Sequence, residues 1–178
     1  MYESRYYKDD LLKYAKDFEK RLSKQVWRED SLCKAEKHLF VGFYFVRKLL
    51  ESLKISTKTK KLSVRIFRGK ISPDQEISNF NRHKVMFYIS EANWVESKVS
   101  VDQVCDKVVH SWVNYPISKD DGGLAGFIMT TDRYRNKEMW EIPTESIIEV
   151  FNTFGSDYPT ESHMKRDESG KITFQLIK

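Results

Sequence analysis

Leu39-Phe40-Val41-Gly42-Phe43-Tyr44-Phe45-Val46 runs for eight residues without a charge, in the middle of a segment whose apolar residues keep helical spacing. At about 100° per residue those side chains point all the way round a helix, so the segment needs apolar cover on every side. The longer stripe through it is Leu32, Ala35, Leu39, Phe43, Val46, Leu50 and Leu53, which predicts a helix from an Asp30 N-cap to about Lys54. Upstream, Leu11, Ala15, Phe18 and Leu22 form one stripe of a second amphipathic helix within residues 6–24. The short connection at 25–29 makes the two neighbours antiparallel, so the chain opens with a helical hairpin over about 6–54.

After a basic linker at about 54–61 the period changes to two. Leu62, Val64 and Ile66 alternate with Ser63, Arg65 and Phe67 as a half-buried strand, and a loop follows around Pro73. A second extended segment is expected at 84–89, with Val85, Phe87 and Ile89 on one face. Ser100-Val101-Asp102-Gln103 is a capping box, and Val101, Val104, Cys105, Val108 and Trp112 carry a third helix to about 112–114, stopping before Pro116. Asp120-Asp121-Gly122-Gly123 is a turn, and strands at 124–131 and 138–142 enclose a polar loop, Asp132 to Lys137, as a β-hairpin with a basic tip. Thr144 caps a fourth helix with Ile147, Ile148, Phe151 and Phe154 inward and Gly155 at C′. Residues 156–170 are polar and expected to be mobile, and 171–177 alternates Ile172, Phe174 and Leu176 as a last strand. With few openings for βαβ crossovers, this order predicts one α+β domain over residues 1–178, the hairpin packed on a small, mainly antiparallel sheet that carries two further helices.

The composition, 40% hydrophobic and 13% aromatic with seven Gly and four Pro, is that of a packed globular chain and excludes a disordered one. The N-terminus lacks the apolar core of a signal peptide and the run at 39–46 is far short of a membrane span, so a cytoplasmic chain with no membrane partner is expected. Cys33 and Cys105 have no CxxC spacing, which fits a reducing compartment.

Charge is concentrated. Residues 54–70 hold Lys54, Lys58, Lys60, Lys61, Arg65, Arg68 and Lys70 and no acid, so the rest of the chain is net acidic although the whole carries +5. Lys58, Lys60, Lys61 and Arg65 are candidates for phosphate contacts, with Arg65 and Phe67 sharing a strand face; the competing reading is a solvated linker and a charged edge strand. Arg133 and Arg135 in the hairpin loop suit an anionic ligand through their planar donor forks. Asp120 and Asp121, with Asp132, offer carboxylates for a divalent cation, but Asp-Gly is a turn former and no D-x-D-x-D-G spacing occurs, so no metal is expected. The histidines 38, 83, 110 and 163 form no chelating pair, and His110 stands about 140° from Cys105 on a helical wheel, which rules out a same-face thiolate–imidazole pair. No nucleophile elbow, P-loop, dinucleotide-binding glycine pattern or metalloprotease motif is present.

The block His110-Ser111-Trp112-Val113, Asp120 to Leu124, Thr131 to Arg135 and Trp140-Glu141-Ile142 resembles a group of small bacterial proteins with no known activity. That resemblance implies one intact domain and transfers no catalytic residue. The expected function is a small intracellular, non-catalytic binding module without a cofactor, offering its basic segment and loop to an anionic partner, nucleic acid or acidic protein. The alternative is an enzyme on an anionic substrate, with His110 and Asp121 or Asp132 as acid and base and Arg133 as the anchor. Phe40, Tyr44 and Phe45 fall on the side that a hairpin partner and one sheet face leave open. Either the later helices cover them or a second copy does, as a homodimer.

Overall fold

The computed structural model describes residues 3–23, 27–72, 76–84, 87–88, 93–166, 169 and 172–177. Helices α1 (Ser4–Arg21) and α2 (Glu29–Leu50) form the N-terminal pair, and a single turn, α3 (Thr57–Lys60), leads into β1 (Ser63–Lys70). Strand β2 (Asn93–Ser100) runs directly into α4 (Val101–Val109), and β3 (Ser111–Ser118), β4 (Leu124–Thr131) and β5 (Glu138–Pro143) form a meander that ends in α5 (Thr144–Gly155). The five strands make one antiparallel sheet in the order β2-β1-β5-β4-β3, and β6 (Glu161–Arg166) and β7 (Ile172–Ile177) pair separately. The chain is therefore α+β, a helical pair on an antiparallel sheet with further helices.

The long uncharged run is covered on one side and not all round: Phe40, Val41 and Phe45 are partly buried and Tyr44 is 49% exposed. Leu39, Gly42, Phe43, Val46 and Leu49 are buried, and Phe43 meets Phe151 of α5 at 5.3 Å between ring centres. Burying each such side chain contributes about 2 kcal/mol. Gly42 is small because α5 comes so close: a Cβ there would clash with the Cζ end of the Phe151 ring. The inward residue of the last turn is Leu49, whereas Leu50 is half-buried and Leu53 lies past the helix, 55% exposed.

The sheet is buried on both faces by different means. Val64, Ile66, Val99, Met129, Trp140 and Ile142 face the helices, while Val113, Ile128 and Met139 on the other face pack with Ile71, Ile77 and Tyr88 from the β1–β2 connection. At the β3–β4 turn Gly122 takes a positive φ of 92°, and its carbonyl accepts from Trp27 Nε1 at 2.7 Å, tying the turn to the start of α2.

Several expected boundaries move. Val85 and Ile89 of the segment at 84–89 lie outside the described residues, as do Gln25, Pro73 and Lys171. What is described of 84–89 is not extended: Lys84 ends a short 3₁₀ turn and Phe87-Tyr88 is helical, with Tyr88 buried and Phe87 58% exposed. The partner of β1 is β2 instead, an amphipathic strand whose charges Glu96 and Lys98 suit an edge. The third helix stops at Val109, and Trp112 to Ser118 is a strand that contains Pro116. That proline is tolerated because β3 is an edge strand, where no amide is needed on the open side. Pro143, not Thr144, occupies the N-cap of α5, and the Thr144 hydroxyl donates to the Leu124 carbonyl at 2.9 Å. The polar stretch 156–170 contains β6.

Candidate functional site

A cleft of about 970 Å³ opens between α4 and the β4–β5 turn. Strand parity builds its floor. Arg68 and Trp140 are register partners on the helix-facing side of the sheet, one step beyond the apolar rows of Val64, Ile66 and Ile142. Lys107 descends from α4 and Tyr134 comes from the turn after β4.

These side chains stack as a ladder in which cations and rings alternate. The Arg68 guanidinium lies 4.9 Å from the Trp140 ring centre, Lys107 Nζ lies 4.4 Å from that ring and 4.8 Å from the Tyr134 ring, and the Arg133 guanidinium lies 5.6 Å from Tyr134. Each contact is worth about 0.5–2 kcal/mol, more where water is excluded. Lys107 in the middle is neutralised by Glu138, whose Oε1 accepts from Nζ at 3.1 Å and from Trp140 Nε1 at 2.8 Å. Burial pushes the Lys107 amine below the ordinary lysine value, and the Glu138 contact opposes it. Arg47 and Asp106 pair at 2.9 Å on the wall. Arg68 and Arg133, at the two ends of the ladder, have no carboxylate partner among the described residues, and Arg68 Nε and Thr131 Oγ1 are buried without a hydrogen bond. The cleft thus keeps its positive charge at the ends, held in place by rings and open to an anion.

Of the residues singled out in the sequence, His110, Asp132 and Arg133 line this cleft. His110 is the exposed C-cap of α4; its amide donates to the Asp106 carbonyl at 3.1 Å, and its imidazole has no hydrogen bond or ion pair among the described residues. The Asp132 side chain is 75% exposed and held by Arg135 at 3.1 Å. Asp121 belongs to the opposite end of β4, where its Oδ1 accepts from the Gly123 amide at 3.0 Å as turn chemistry requires, so it does not join His110. No group of three His, Cys, Asp or Glu among the described residues is placed to hold a metal ion.

The basic segment does not form one surface. Arg65 and Arg68 differ by an odd number of residues on one strand and so face opposite sides of the sheet, Arg65 stacking on Phe67 at 5.6 Å. Lys60 donates to the Ser52 carbonyl at 2.7 Å, whereas Lys58 and Lys61 border a separate hollow beside β7. The aromatic strip on α2 is broken up as well. Phe45 is partly buried and meets Tyr7 edge-on at 4.8 Å, Phe40 packs on the core margin, and Tyr44 is 49% exposed. Cys105 is buried, with its thiol pushed far up by burial, and Cys33 is exposed; neither is in a disulfide.

The sequence reading passed over Lys107, Glu138, Trp140 and Tyr134 as site residues. The available signal was in the pattern itself: an even position in β1 occupied by Arg68, after Val64 and Ile66, announces a charge on the buried face. No helix among the described residues is long and apolar enough to cross a membrane. Comparison with family models, with curated proteins and with solved structures returned no match.

Proposed function

We propose that the chain is a non-catalytic binding module whose anionic partner docks in the cleft between α4 and the β4–β5 turn. The observation that carries this reading is the pair of arginines, Arg68 and Arg133, left without carboxylates at the ends of a ladder that fixes their position. A guanidinium immobilised before the ligand arrives loses less side-chain freedom on binding, and its planar fork suits phosphate or carboxylate oxygens. The experiment is a titration with inorganic polyphosphate, followed by tryptophan fluorescence because Trp140 lies in the ladder. Arg68→Ala and Arg133→Ala should each weaken binding by roughly ten-fold, the scale of one charge-assisted contact, and Lys58→Ala/Lys61→Ala should leave it unchanged. Loss of binding only in the Lys58/Lys61 variant, or no binding by the wild type, refutes the assignment.

A catalytic reading is favoured by one observation, that His110 and Asp132 border the same cleft. It ranks second because the Asp132 carboxylate is solvated and engaged with Arg135 rather than with the imidazole. Turnover of p-nitrophenyl phosphate that disappears in His110→Ala would promote it.

A further inference from the structure

We infer that the anionic partner is a single-stranded nucleic acid laid across the β4–β5 turn, which rests on the anion-binding reading above and narrows it. The turn feeds two stacks. Arg133 and Tyr134 end the ladder in the cleft, while Arg135 leaves the same turn and lies 5.0 Å from the Trp112 ring at the β3 edge. A further guanidinium, Arg82, lies 5.9 Å from that ring. Two stacks of alternating cations and aromatic rings, Arg68 to Arg133 and Arg135 to Arg82, therefore start from the one turn. Arg82, like Arg68 and Arg133, has no carboxylate partner among the described residues.

Holding the guanidiniums in place serves any anion, but the exposed ring surface would be idle against a partner bound by charge alone. Single strands use both components, since a basic track follows the phosphates while bases stack on aromatic side chains, and every base offers a π-face. Tyr134, 37% exposed, is the ring in the cleft most open to stacking. The Trp112 end supplies a second element. A hollow of about 400 Å³ is lined there by Phe40, Arg82, Ser111, Trp112, Asn114 and Tyr115. Asn114 Nδ2 donates to Glu36 at 3.0 Å, which fixes the amide orientation and leaves Oδ1 without a donor, and Ser111 Oγ is unpartnered too. Both atoms are enclosed in the wall of the hollow, which leaves unmet polar capacity there beside the aromatic rings. Cleft and hollow are also far larger than one oxyanion needs.

The test measures fluorescence anisotropy of labelled 12-nucleotide oligouridylate and oligothymidylate, with inorganic polyphosphate as a competitor that has charge and no rings. The wild type should bind at least one oligonucleotide roughly ten-fold or more tightly than polyphosphate, and the better of the two identifies RNA or DNA as the source. Tyr134→Ala should lower oligonucleotide affinity by roughly ten-fold, the scale of one lost stacking contact, and lower polyphosphate affinity by clearly less, since polyphosphate loses only the ring that positions Arg133. Arg133→Ala/Arg135→Ala, confined to an exposed turn, should weaken both, and circular dichroism checks that each variant is folded. Polyphosphate binding as tightly as the oligonucleotides, or equal losses for both in Tyr134→Ala, overturns the nucleic-acid inference and leaves the anion site standing. Absence of binding by every polyanion overturns both.

Discussion

A lysine ammonium buried between two rings keeps its charge at low cost only while a carboxylate stands against it. The Lys107 side chain is 5% exposed and Glu138 is its carboxylate, so Glu138→Ala strands a cation away from water and also removes the acceptor of Trp140 Nε1. The expected loss is about 3 kcal/mol, in the range for breaking a buried pair from one side, read as a lower urea midpoint with an unchanged slope. Gly42 makes the opposite kind of prediction. Alanine would favour the helix by roughly 1 kcal/mol, but its methyl would clash with the Cζ end of the Phe151 ring, and Phe151 is enclosed by Phe18 and Phe43. Gly42→Ala should therefore destabilise by about 1–3 kcal/mol; a stabilised variant would show that α2 and α5 do not meet as described. Neither residue was legible as special in the sequence. What singles out Lys107 and Gly42 is contributed by β5 and α5, distant in sequence.

At the scale of elements, local signals read well where the chain satisfies itself and poorly where a neighbour decides. The capping box of α4 is present as the sequence spelled it, Ser100 Oγ accepting from the Gln103 amide at 3.3 Å and the Gln103 side chain returning to the Ser100 amide at 3.2 Å. Ser100→Ala should cost about 1 kcal/mol of stability in thermal or urea unfolding. The other end of α4 was misjudged by one turn because Trp112 keeps helical spacing yet is recruited into an edge strand by β4. Between α1 and α2, Asp17 bonds Arg21 at 2.8 Å, and His38 Nδ1 sits 2.9 Å from the same carboxylate, outside hydrogen-bond geometry, with its ring stacked on Tyr14. Burial holds His38 below its ordinary value of 6.5 despite Asp17. A histidine that prefers neutrality in the fold binds its proton more readily once unfolded, so its contribution erodes as pH falls below 6.5. Asp17 acts in a lower window. Burial pushes it up, but Arg21 and His38 outweigh that and hold it below 3.8, so its contribution is present above 3.8 and lost as pH falls through its folded value. Replacing His38 with Gln should flatten the stability profile just below pH 6.5 and leave the steeper acid limb; an unaltered profile would remove His38 from the account.

Over the whole molecule, the fold class was legible because it follows from periodicity: the uncharged run at 39–46 reads as the middle of a core helix, although Tyr44 within it is 49% exposed, and alternating strands with tight turns read as an antiparallel sheet. The site was only partly legible. The hairpin turn reads as a basic tip carrying Arg133 and Arg135, whereas the charge cluster at 54–70 left a phosphate-contacting stripe and a solvated linker with an edge strand both open, and the pleat sends Arg65 and Arg68 to opposite faces. The account's central claim is that the turn and the cleft are an electrostatic seat for a polyanion, and its most direct measurement is the salt dependence of oligonucleotide affinity. With Arg68, Arg82 and Arg133 each releasing a counterion, a plot of log K against log salt should have a slope of about −2, shallower by about 0.7 in Arg133→Ala. A flat plot, or a slope that Arg133→Ala leaves unchanged, would contradict the claim.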